Sequence, residues 1–214
     1  MRRREFITLL GGAAGWPLAA RAQQPTKMPT IGYLAALSEA ADRPRRAAFV
    51  KRLSELGWTE GSNIRIDYRW ADGIVSNAAA FAVEFVRSKV DVIVSNGDAY
   101  VLAVKRATET IPIVFASVGD PVGTGLVQSL ARPGGNVTGL SLQLTETIGK
   151  RLELLRELVP ALRRLAIAFN ASDPQVHLEL DAALAEAHSV GLDVVKVEIP
   201  TPRGFFARDR AAQG

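Results

Sequence analysis

From Pro29 onward the chain alternates short β-branched runs with longer amphipathic segments, and this rhythm limits the fold more than any other feature. Residues 30–34 make the first strand-length run. Residues 41–56 place Ala48, Phe49, Leu53 and Leu56 at helical spacing, and Gly57 closes the segment. Residues 63–69 alternate Ile64, Ile66 and Tyr68 with polar partners, the pattern of an edge or half-exposed strand. A helix is expected over 78–87. Residues 90–95 and 111–116 are nearly unbroken apolar runs separated by a helical segment over 100–109. Such runs suit parallel strands covered on both faces. One more strand is expected over 137–142.

The rhythm then resumes. Residues 146–159 put Ile148, Leu152, Leu155 and Val159 on one helical face, and Pro160 stops that helix. A strand over 165–169, a helix over 175–190 ended by Gly191 and a strand over 192–199 follow. Strands joined through helices by short connections predict an α/β fold, a doubly wound parallel sheet with right-handed crossovers. Five strands precede the helix at 146 and two follow, so the chain divides near Leu142 to Glu146. This gives a first α/β lobe over 28–143, a partial, incomplete second α/β lobe over 144–200, and an irregular or weakly helical tail over 201–214.

The first 22 residues follow a different logic. Arg3 and Arg4 stand before Glu5, Phe6 and Ile7, an apolar run reaches Leu18, and Ala20-Arg21-Ala22 supplies a small-x-small exit. A basic head, an apolar middle and a small-residue exit make a removable export signal. The middle is far shorter than the roughly 20 residues a membrane span needs. Twin arginines point to the bacterial route for folded proteins. An amphipathic N-terminal helix is the competing reading. Export implies a periplasmic protein without a stable membrane anchor once the signal is removed. Loss of residues 1–22 takes away four arginines and one glutamate, which lowers the formal charge from +4 to +1. A near-neutral surface offers no electrostatic footprint for nucleic acid. With no cysteine in the chain, disulfides, thiolate metal sites, a cysteine nucleophile and a lipid-anchored cysteine are all excluded.

Ligands of open α/β sheets bind outside the carboxyl ends of the strands. Small and polar residues stand at those ends: Ala35 and Ser38; Asn96, Gly97 and Asp98; Ser117, Gly119, Asp120 and Pro121; Ser141; and Asn170, Ser172 and Asp173 beyond the division. Helix starts just after several of these turns aim free N–H groups at the same region. Together they could grip a small zwitterion such as an amino acid. Turns favour Asn, Asp, Gly and Ser on conformational grounds alone, so the pattern also has a purely structural explanation.

Catalytic chemistry finds little support. Gly123-Thr124-Gly125 lacks the third glycine of a dinucleotide loop, because Gln128 stands in its place. There is no P-loop and no Gly-x-Ser-x-Gly elbow. His177 and His188 are 11 residues apart on one predicted helix, roughly 16 Å and too far to share a metal. No cofactor is expected. Trp58 is expected to pack at the core or edge, and Trp70 ends a strand where it could touch a ligand.

Several motifs in fixed order resemble one family. These are Leu56-Gly57-Trp58-Thr59-Glu60-Gly61-Ser62-Asn63-Ile64, Tyr68-Arg69-Trp70-Ala71-Asp72-Gly73, Ile111-Pro112-Ile113-Val114-Phe115-Ala116 with Gly119-Asp120-Pro121-Val122, Arg132-Pro133-Gly134-Gly135-Asn136-Val137-Thr138-Gly139, and Lys150-Arg151-Leu152-Glu153-Leu154-Leu155. The chain thereby resembles bacterial ABC-transporter substrate-binding proteins from the leader to about Pro202. The resemblance implies a periplasmic, two-lobed binding protein of the type I fold. It would close on a small solute, deliver that solute to an ABC permease in the inner membrane, and catalyse no reaction. Pocket positions carried over by the resemblance are Ser38, Asn96, Gly97, Asp120, Pro121 and Ser141 in the first lobe and Asn170 in the second. Family members run about a hundred residues further, so C-terminal truncation by a frameshift or early stop is expected, with a naturally short relative as the alternative. Truncation would weaken or abolish binding. Two other functions stay open: a single-lobe sensory or interaction module, and a periplasmic α/β hydrolase using Asp98 or Asp120 as base.

Overall fold

The computed structural model describes residues 28–169 and 174–199. The leader residues Arg3, Arg4, Phe6, Ala20 and Ala22, the candidate Asn170 and the tail over 201–214 lie outside the described residues. Elements follow in the order β1 (Thr30–Ala35), α1 (Glu39–Glu55), β2 (Arg65–Trp70), α2 (Val75–Ser88), β3 (Val92–Ser95), α3 (Asp98–Ala107), β4 (Ile113–Val118), β5 (Val137–Ser141), α4 (Ile148–Leu158), β6 (Arg164–Phe169), α5 (Pro174–Ser189) and β7 (Asp193–Glu198). The first five strands form one sheet in the order β2-β1-β3-β4-β5, and every neighbouring pair is parallel. The half-exposed strand expected around Ile64, Ile66 and Tyr68 is the edge strand β2. Strands β6 and β7 pair parallel in a separate two-stranded sheet. The fold is therefore the α/β doubly wound arrangement expected, with a small second sheet.

Both faces of the large sheet acquire apolar cover from sequence periodicity. On one face α1 lays Phe49, Val50 and Leu53 over Ile31, Tyr33, Ala35, Ile64 and Ile66. On the other, α2 and α3 bring Ala78, Ala82, Phe85, Val101 and Val104 against Leu34, Ile93, Ile113 and Phe115. Gly32 is what lets α2 come this close. A Cβ there would lie 2.9 Å from the Phe85 ring. A smaller cluster of Ile148, Leu152, Ala187 and Leu192 joins α4 and α5 to one face of the β6–β7 sheet. Among the described residues no helix is long and apolar enough to cross a membrane.

Two details depart from what periodicity suggested. Trp58 is 42% exposed, in a turn where its N–H donates to the Leu53 carbonyl and Asn63 holds Gly57 and Thr59. Val90, which extends the apolar run before β3, precedes the strand. Its N–H returns to the Phe85 carbonyl and its side chain enters the core. The apolar run thus joins a helix-end contact to a strand, and burial alone cannot separate the two.

Candidate functional site

Strand order reverses beside β1, which has the edge strand β2 on one side and β3 on the other. The carboxyl tips next to such a switch point are where open α/β sheets place ligands. Three of the five tips, those of β1, β3 and β4, are linked by side chains or backbone groups that sequence reading had offered to a ligand. The Asn96 side-chain oxygen accepts from Ala36 N–H at 3.1 Å, tying the β3 tip to the β1 tip. Gly97 N–H donates to the Ser117 carbonyl at 2.8 Å, tying β3 to β4. Asp98, buried at the start of α3, accepts from Gly119 N–H at 2.9 Å. A charged acceptor for a buried amide, at a helix N-terminus, is among the stronger hydrogen bonds of a protein.

Gly97 holds φ at 78°, and a Cβ there would sit 3.1 Å from the Tyr100 ring. The turn between β3 and α3 thus requires glycine on conformational and steric grounds. Ser38 N-caps α1, its Oγ accepting from Ala41 N–H at 3.4 Å, and it is exposed. Pro121 is fully buried behind the β4 tip. Asp120 accepts from Gly123 N–H at 2.8 Å and from the Thr145 hydroxyl at 3.0 Å. Ser141 Oγ accepts from Gln143 N–H at 3.1 Å.

Asp120 and Ser141 share the wall of a recess of about 430 Å³ with Gly123, Gln143, Thr145 and Glu146. The structure therefore gathers Asn96 and Gly97 at one pair of tips and Asp120, Pro121 and Ser141 at the next. Ser38 stands apart at the start of α1. Helix α5 approaches the same edge. It lies against α3, and Leu178 would be 3.2 Å from a Cβ on Gly123. Sequence reading missed Gln143, Thr145 and Glu146. Their signal was a short polar stretch between the last strand of the large sheet and the next helix.

Beside the site, under the first turn of α1, Asp42 is 1% exposed. Burial raises the Tyr33 phenol pKa well above its usual range, reinforced by the Asp42 charge and hydrogen bond. Tyr68 is raised in the same direction by burial, then by its hydrogen bond to Glu60. Trp70 stacks on Tyr68 at 5.9 Å with Arg46 over both rings, so it is held in packing on the α1 face. His177 and His188 both fall on α5, and no metal-binding cluster of three or more His, Cys, Asp or Glu occurs among the described residues.

A family model for ABC transporter substrate binding proteins matches residues 30–204. A relative named tyrosine-binding protein, from Clostridioides difficile, is 33% identical over 175 residues, covering 82% of this chain and 50% of that protein. A conserved domain protein of Vibrio cholerae shares the fold with a TM-score of 0.74 at 30% identity, over 81% of this chain and 58% of that one. An ABC domain from Streptococcus pneumoniae, solved with L-Trp, superposes with a TM-score of 0.71 at 24% identity, over 81% and 58% of the two chains. That likeness speaks for the fold. The chain spans about half the length of the tyrosine-binding relative. Strand order, tip geometry and the extent of the match agree: this chain belongs to the family of ABC transporter substrate-binding proteins.

Proposed function

We propose that this protein captures a small zwitterionic solute, an aromatic amino acid with tyrosine tried first, for an ABC importer. The observation that carries the reading is the gathering of Asn96, Gly97, Asp120, Pro121 and Ser141 along one sheet edge, faced by α5. The name of the Clostridioides difficile relative supplies the first solute to test. Each tip group retains chemistry suited to a solute. The Asn96 amide carries N–H donors, the Ser141 hydroxyl can donate, and the Asp120 oxygens have further lone pairs for an ammonium group. Ser38 extends the row at the start of α1, and Asn170 would face it from the second unit. In this reading the leader with Arg3 and Arg4 delivers the chain to the periplasm, where an inner-membrane permease is its partner.

The described residues furnish the tips of the large sheet and a second, two-stranded sheet. Closure between two units supplies much of the grip in clamshell binding, because it removes the solute from water and completes its hydrogen bonds. Titration of the 214-residue protein with tyrosine and tryptophan, followed by amide NMR, is expected to shift Gly97 and Ser141 and leave the far pole near Trp58 unmoved. Shifts at neither tip with any amino acid would overturn the solute reading.

A further inference from the structure

The stretch between β5 and α4 is the connection between the two sheets, and backbone and side-chain hydrogen bonds fasten it to the large sheet. Leu142 N–H donates to the Val118 carbonyl at 2.8 Å, and Leu144 N–H donates to the Gly119 carbonyl at 3.1 Å. Between them Gln143 holds φ at 48°, a left-handed conformation that a side chain of this size adopts only when its surroundings impose it. Thr147 closes the stretch, its hydroxyl donating to the Leu144 carbonyl at 3.0 Å. One side chain of the large sheet reaches into this run. Asp120 takes the Thr145 hydroxyl at 3.0 Å with one oxygen and Gly123 N–H at 2.8 Å with the other.

We propose that Asp120 is the pin of this connector: by holding Thr145 from the tip of β4 it fixes the path of residues 142–147 and so the place where α4 leaves the large sheet. The role is one of positioning and does not depend on which solute binds, or on whether one does. Three features support it. The carboxylate joins its own turn to the connector rather than to solvent alone. The half-buried Thr145 hydroxyl needs an acceptor there. Gly123 keeps the space open, because a Cβ at that position would collide with the Asp120 carboxylate and press on Leu178 at 3.2 Å. A charged acceptor for a hydroxyl in this setting is a stronger tie than a neutral one, so its loss should release the connector before it disturbs the sheet.

The test is amide hydrogen exchange on the full 214-residue chain without added solute. Thr145→Val keeps the shape of the side chain and removes the donor. It is expected to speed exchange at Leu142 and Leu144 about tenfold while Leu34 and Ile93, in the middle of the sheet, keep their rates. Thr145→Ser, which retains the hydroxyl, is expected to exchange as the parent does. Gly123→Ala displaces the same carboxylate from the other side, is expected to repeat the Thr145→Val result, and serves in its place should Thr145→Val fail to fold. Unchanged Leu142 and Leu144 rates in Thr145→Val would overturn the proposal. So would equal acceleration in the valine and serine variants, or acceleration that spreads equally to Leu34 and Ile93. These outcomes are read without solute, so they stand or fall separately from the binding reading.

Discussion

Strands β1 and β6 open the same construction twice, yet the two copies end in opposite states. Each is six residues long, each is followed by a helix, and each pairs in parallel with the next strand over six residues, Thr30 with Arg65 through Ala35 with Trp70 and Arg164 with Asp193 through Phe169 with Glu198. All six residues of β1 are buried, whereas β6 alternates exposed and half-buried positions. The difference comes from company. Strand β1 has β3 on its other edge and α2 on its second face, while on the β6–β7 sheet Ala166, Ala168, Val195 and Val197 remain exposed on the face away from α4 and α5. Even within the large sheet cover is uneven, since Leu140 on the edge strand β5 is 70% exposed. A β-α-β unit thus sets its own direction and register, but burial is a property of the assembly around it.

Matched substitutions in the two units test that statement. The largest contrast is expected from truncating the apolar strand centres. Leu34 is 1% exposed, and Leu34→Ala should cost about 3 kcal/mol in chemical denaturation, whereas Ile167→Ala on the half-buried face of β6 should cost about 1 kcal/mol. Equal costs would mean the small sheet is as tightly packed as the large one. Next comes the third residue of each strand. Gly32→Val drives methyl groups into the Phe85 ring and should cost about 2 kcal/mol or more, while Ala166→Val, exposed in the small sheet, should stay within about 0.5 kcal/mol.

A pH experiment isolates the large sheet and its helices, because the chain's three tyrosines, Tyr33, Tyr68 and Tyr100, lie in β1, β2 and α3. Folding raises the pKa of Tyr33 and Tyr68, so the folded state holds their protons more tightly than the unfolded state does. Their contribution to stability is complete below the ordinary phenol pKa of about 10 and declines as pH rises beyond it. Phenolate absorbance should show both rings ionising above the ordinary phenol range, and ionisation near pH 10 in the folded protein would contradict the packing described under α1. The smallest contrast is ionic. Arg69 pairs with Glu84 at 2.9 Å and lies over the rings of Phe81 and Phe85, so Arg69→Ala should cost about 1 kcal/mol. The exposed Arg164–Asp193 pair, 3.7 Å apart, should be worth less than about 0.5 kcal/mol.

Much of the fold was legible because apolar residues recur with period 2 or 3.6, and that signal needs only near neighbours in sequence. Element ends were less legible for an identifiable reason. Helix first turns are polar and capped, so α1 begins at Glu39 behind its Ser38 cap, and α3 begins at Asp98 behind Gly97, each two residues before its apolar periodicity does. The strand tips were equally legible, since Asn96, Gly97, Asp120 and Ser141 stand at the carboxyl ends of strands as expected. What those groups hold was not. Asn96 finds Ala36, Asp98 finds Gly119 and Asp120 finds Thr145 across separations of 60, 21 and 25 residues. No local pattern reports such partners.

By itself the sequence determined the order of strands and helices, their parallel sense and the edge to which small polar residues would come, because each follows from side-chain period and connection length. Tertiary structure alone decided which strand is walled in on every side, which carboxylates staple the tips together, and that the Asp120 side chain reaches the connector as well as its own turn. Those outcomes depend on distances between residues far apart along the chain, which side-chain period and connection length do not fix.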